Sequence, residues 1–121
     1  MRPFLPLFLL ALPMALYAQT AAPLTCPTGD REFLRINIFN GKPGGAEYDL
    51  APDDEHKSGR KITQVWNVKD YRSMPVFVRC RYRGTDAVND VTVPEAYRKC
   101  TFTFELDKNG EITGKPEFSC K

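Results

Sequence analysis

Four cysteines, Cys26, Cys80, Cys100 and Cys120, all follow a short apolar N-terminal segment. An even cysteine count in an exported chain implies an oxidising compartment and a small domain stapled by two disulfides. The pattern sets an address and a type of fold. It names no activity.

The export reading rests on the first residues. Met1 and Arg2 give a basic start, and an apolar run extends from Phe4 to Tyr17, interrupted by Pro6 and Pro13. That run is shorter than the roughly 20 residues a membrane-spanning helix needs. Leu16-Tyr17-Ala18 before Gln19 predicts cleavage after residue 18 rather than a retained anchor. Cys26 follows Pro23-Leu24-Thr25, without the small residue that lipidation requires. The chain therefore divides into a signal peptide over 1–18, a flexible lead-in over 19–30 and one β domain over 31–121. The expectation is a periplasmic or secreted protein with no membrane span after cleavage. Loss of Arg2 takes the net charge from +2 to near +1, which argues against a nucleic-acid partner.

Beyond the lead-in the apolar period is two. Leu34, Ile36 and Ile38 alternate with polar residues over 32–39, and Ile62, Gln64, Trp66 and Val68 over a second stretch. Val76, Val78, Cys80 and Tyr82 form a third set, and Cys100, Phe102 and Phe104 a fourth. Asn40-Gly41 reads as a turn, and Asp107-Lys108-Asn109-Gly110 as a hairpin leading to a last strand over 111–119, bulged at Gly114 and Pro116. Residues 41–61 read as an extended loop with a short strand near 46–50, and Pro94–Tyr97 as a single helical turn. The predicted fold class is mainly β: an antiparallel meander of five to six strands curled into a barrel or half-barrel, because no long helix covers its apolar face. That face would hold Leu34, Ile36, Ile38, Trp66, Val68, Val76, Val78, Tyr82, Phe102, Phe104 and Phe118.

In such a meander Cys80 ends one strand and Cys100 begins the next. The spacing favours Cys80–Cys100 with Cys26–Cys120, and leaves Cys26–Cys80 with Cys100–Cys120 open. Paired cysteines are not nucleophiles, and no Cys-x-x-Cys motif is present.

Little else points to chemistry. The single histidine, His56, sits in the acidic stretch Asp53-Asp54-Glu55, which lacks the spacing of a calcium loop and reads as a solvated surface. Ser58, Ser73 and Ser119 lie in no nucleophile motif. No catalytic residue, metal site or cofactor is expected. The one surface feature is a stripe of Arg79, Arg81 and Arg83 on a single face of the third strand, spaced by about 7 Å per two residues. With strands 62–68 and 100–105 as predicted neighbours, Glu105 is its only compensating carboxylate. The stripe is either a binding face for phosphate or carboxylate groups or an ordinary charged face that guards against aggregation.

Several short motifs run through residues 26–120: Cys26-Pro27, Phe39-Asn40-Gly41-Lys42-Pro43, Leu50-Ala51-Pro52-Asp53-Asp54, Trp66, Cys80-Arg81-Tyr82-Arg83-Gly84-Thr85, Val93-Pro94 and Cys120. The chain resembles in these a family of small exported proteins of Gram-negative bacteria known by a locus tag, with Cys-x-Tyr-x-Gly-Thr as the most specific element. Val78-Arg79 departs from the aromatic residue often found before that cysteine. The resemblance implies a compact periplasmic β domain and brings no assigned activity. The expected function is a non-catalytic binding module of the cell envelope, its partner an envelope protein or an anionic ligand. A structural subunit of an envelope assembly and a small hydrolase are the alternatives.

Overall fold

A computed structural model describes residues 2–4, 6 and 22–121. Most of the segment read as an export signal lies outside the described residues.

Among the described residues eight strands form: β1 (Phe33–Gly41), β2 (Glu47–Asp49), β3 (Asp54–Ser58), β4 (Lys61–Trp66), β5 (Val76–Tyr82), β6 (Val88–Thr92), β7 (Cys100–Leu106) and β8 (Ile112–Cys120). They come as four successive hairpins dealt alternately to two antiparallel four-stranded sheets, ordered β2-β1-β5-β6 and β3-β4-β7-β8. This corrects the expected five- to six-stranded curled meander. The fold is two sheets and not a closed barrel, since each sheet can bury its apolar face on the other. Ile36, Ile38, Val76, Val78, Cys80 and Tyr82 from one sheet meet Trp66, Cys100, Phe102, Phe118 and Cys120 from the other. Each fully buried Val, Ile or Phe contributes about 1.5–3 kcal/mol to this core.

Two strands, β3 and β6, fall outside the predicted set. β3 is Asp-Glu-His-Lys-Ser, exposed throughout, and has no apolar alternation to announce it; it forms because its backbone pairs with β4, Glu55 opposite Gln64 and His56 opposite Thr63. β6 pairs with β5, Asp90 opposite Arg79. Asn40 and Gly41 do not turn. They continue β1, opposite Tyr48 and Glu47. Asn40 is buried and its Nδ2 donates to the carbonyls of Tyr71 at 2.9 Å and Pro75 at 3.3 Å. Gly41 has φ 118°, and a Cβ there would collide with the Ala46 carbonyl oxygen, so only glycine fits. Pro94–Tyr97 closes a turn through Tyr97 N–H to the Pro94 carbonyl at 3.0 Å, while the helical turn, a 3-10 segment, falls at Val68–Tyr71. The Asn109-Gly110 hairpin forms as read: the Asp107 carboxylate accepts the N–H groups of Asn109 and Glu111 at 2.8 and 3.0 Å. The register of β7 and β8 shifts between Thr103 and Glu105, opposite Gly114 and Pro116.

A second irregularity lies in β1, where the register slips between Phe33 and Arg35. This bulge, two residues against one, puts Phe33 against the core, edge-on to Phe102 with ring centroids 6.0 Å apart. Leu34, expected inside, is left out of the core cluster.

The disulfides are Cys26–Cys80 and Cys100–Cys120. The expected Cys80–Cys100 pairing fails because β5 and β7 are not neighbours: they lie in different sheets, with β6 between them in sequence. Cys100 instead faces Cys120 in the register of β7 and β8, Cα atoms 4.0 Å apart. Cys26 reaches the central strand β5 and ties down the N-terminal segment. That segment is also held by a backbone bridge between Leu24 and Cys120 and by hydrogen bonds from Tyr82 to the Pro27 carbonyl and from Tyr97 to that of Ala22.

Candidate interaction surface

The arginine stripe lies on the outer face of the β2-β1-β5-β6 sheet. Its neighbours are β1 and β6, not the two strands expected, so its carboxylate partners differ as well. Read across the sheet, the register builds three rows: Phe39, Phe77 and Thr92; Asn37, Arg79 and Asp90; Arg35, Arg81 and Val88.

In the first row the rings of Phe39 and Phe77 stack at 5.1 Å and are almost wholly buried, although they stand on the face away from the main core. Arg79 covers them, its guanidinium carbon 4.9 Å from the centre of Phe39 and 5.5 Å from that of Phe77. Two carboxylates clamp it there. Nε donates to Asp90 at 2.9 Å and Nη2 to Glu47 at 2.9 Å. Hydrogen bonds donated to Asp90, then to Glu47, outweigh partial burial and hold the guanidinium protonated well above its ordinary range. Reciprocally, Arg79 and the Gly44 N–H keep the Glu47 carboxyl below the usual glutamate range. Arg79 is thus a lid over an aromatic pair, and its charge is spent inside the protein.

Arg83 pairs with Glu32 at 3.3 Å across an exposed surface. Arg81 differs from both. Its Nε donates to Asn37 at 2.9 Å, and it takes part in no ion pair among the described residues. Directly opposite it on β1 stands Arg35, exposed and likewise outside those ion pairs. Beside the two arginines, Leu34, Val88 and the Gly84–Ala87 turn border a hollow of about 350 Å³. Arg35 was not singled out in the sequence. Alternation alone puts Arg35 on the outer face; the register of β1 against β5, which sets it opposite Arg81, was the missing signal.

Two further motif residues, Trp66 and Asp53, make contacts that tie loops to the sheets. Trp66 Nε1 donates to the Leu50 carbonyl at 2.8 Å. Asp53 accepts the Asn67 N–H at 2.7 Å and the Tyr71 hydroxyl at 2.9 Å, and this contact with a carboxylate raises the Tyr71 hydroxyl pKa. His56 stands exposed on β3 opposite Thr63. Arg72, unnoticed in the sequence, fastens the 93–97 turn by donating to the carbonyls of Val93, Pro94 and Tyr97 at 3.0, 2.7 and 2.7 Å. A larger, mainly apolar groove of about 520 Å³ opens between the N-terminal segment and β8, lined by Cys26, Phe33, Pro116 and Phe118 among others. No helix among the described residues is long and apolar enough to cross a membrane.

Fold and surface together define a disulfide-stapled two-sheet β domain whose outer faces carry charged, register-aligned side chains. Residues 28–121 match the family model of the type VI secretion system Tli immunity protein, and the chain belongs to that family. The match spans all eight strands. The chain is also 34% identical over 76 residues to an uncharacterised 16.3 kDa protein in the trpG 5′ region of Azospirillum brasilense, an alignment covering 60% of this chain and 51% of that protein. The chain thus spans about half the length of the curated relative it matches. No solved structure matches it.

Proposed function

We propose that the protein is a periplasmic immunity protein that binds and neutralises a toxic effector delivered by a type VI secretion system, acting by binding and not by catalysis. The observation that carries this reading is the family match over 28–121, which takes in the whole described β domain. Two disulfides fit an oxidising compartment, where an exported protein meets a toxin arriving from outside. A two-sheet scaffold stapled by two disulfides suits a binder, because a preorganised surface loses little entropy on association. A sibling recipient strain lacking the gene, challenged by its type VI-active parent, tests the reading. Exported wild-type protein should restore survival, and a version without residues 1–18 should not. Equal survival with and without the gene would contradict it.

A further inference from the structure

We infer that Arg35 and Arg81, with Leu34 and Val88 beside them, form the anchor point for a carboxylate-bearing segment of the partner protein; this rests on the immunity reading above. A local charge conflict singles out this row. Like charges directly opposite on adjacent strands repel at Cβ separations of about 4.5–5.5 Å. The register places Arg35 and Arg81 in that relation. One row away, the same sheet resolves the problem for Arg79 with carboxylates from both edge strands, Glu47 and Asp90. Arg83, two residues further along the chain, has Glu32. The Arg35–Arg81 row receives no such compensation: the residue completing it on β6 is Val88, 37% exposed. Asp86 lines the same hollow, yet it forms no ion pair with either arginine among the described residues.

Arg81 is partly fixed, since its Nε bond to Asn37 holds the guanidinium against the sheet and leaves Nη1 and Nη2 without a protein acceptor among the described residues. A planar fork held in this way matches a carboxylate bidentately. Leu34, turned out of the core by the bulge, and Val88 supply apolar contact beside the charges. Polar hydrogen-bonding groups flanked by apolar contact form the composition of a protein-binding patch. Charge complementarity therefore selects an acidic protein segment. A lipid surface is a poorer fit, because membrane recognition uses clusters of about four to eight basic residues, and acidic Glu32, Glu47, Asp86 and Asp90 lie on or near this face.

The test is the sibling competition with the gene-deleted recipient carrying full-length wild type, Arg35→Glu with Arg81→Glu, or a charge-matched control, Lys69→Glu with Lys108→Glu. Thermal melting of each purified protein, and the single Arg35→Ser variant at an exposed position, guard against loss of fold. The expected result is a loss of at least about tenfold in survival for the folded arginine variants, with the lysine control protecting as wild type does. Full protection by the folded Arg35→Glu/Arg81→Glu protein overturns the proposal alone. Wild-type binding to phosphatidylglycerol vesicles that this variant loses also overturns it, by assigning the pair to lipid. If wild type gives no protection, the immunity reading falls and the proposal falls with it.

Discussion

Arg35 and Arg81 face each other across β1 and β5 with no carboxylate among the described residues bridging them, whereas Arg79, one row along the same face, is clamped by two. The contrast separates an arginine that holds the fold from a pair that does not, and the two kinds should respond oppositely to substitution.

Replacing Arg35 by threonine removes a cross-strand repulsion and introduces a β-branched residue suited to a strand. We expect a gain of about 0.2–1 kcal/mol in urea unfolding. A loss above about 1 kcal/mol would mean that Arg35 carries structural contacts.

Arg79→Ala should act the other way. It uncovers Phe39 and Phe77 and strands Glu47 and Asp90 side by side on one face. The Arg79 side chain is 18% exposed, so the cost falls short of a fully buried pair. Loss of its charged hydrogen bonds and ring contacts should cost about 2 kcal/mol, with quenching of near-UV dichroism as the phenylalanine rings loosen.

The acid limb follows from Glu47. Its folded pKa lies below the ordinary glutamate value, so its contribution is complete above the unfolded pKa of about 4.3 and is lost as pH falls through the depressed folded value. Glu47→Gln should lack that component: the difference in melting temperature between wild type and variant should shrink as pH drops below about 4. A constant difference down to pH 2 would contradict the linkage.

The disulfides close loops of 20 and 54 residues. By the chain-entropy relation they contribute about 3 and about 4 kcal/mol. Peptide mapping without reduction should recover Cys26 joined to Cys80 and Cys100 joined to Cys120, and the Cys26→Ala/Cys80→Ala variant should be the less stable of the two double variants. That variant also removes the covalent tie on the N-terminal segment, leaving the Leu24 bridge to β8 and the hydrogen bonds from Tyr82 and Tyr97 to hold it.

The strands with apolar alternation were legible, because burial on one face writes a period of two directly into Ile36, Ile38, Val76, Val78, Phe102 and Phe118. β3 was not, because a solvated edge strand needs only backbone partners and its side chains, Asp54 to Ser58, carry no mark of pairing. Asn40-Gly41 misled for a different reason. The same residues that suit a turn here serve a buried amide with two carbonyl partners and a backbone approach too close for any Cβ. The cysteine pairing depended on which strands share a sheet, a non-local fact that alternation within each strand does not contain. The arginine stripe was visible as a pattern, but its division into a clamped Arg79 and an uncompensated Arg81 required the register with β1 and β6.

The most direct measurement of the central claim is isotopic. A type VI-active donor grown on heavy-isotope medium attacks light recipients carrying a tagged, exported copy of this protein, which is then recovered and its bound proteins weighed by mass spectrometry. A heavy-labelled donor protein should co-purify with wild type, disappear when the donor secretion apparatus is disabled, and be depleted with Arg35→Glu/Arg81→Glu. Recovery of light recipient proteins alone, with no donor-derived partner, would contradict it.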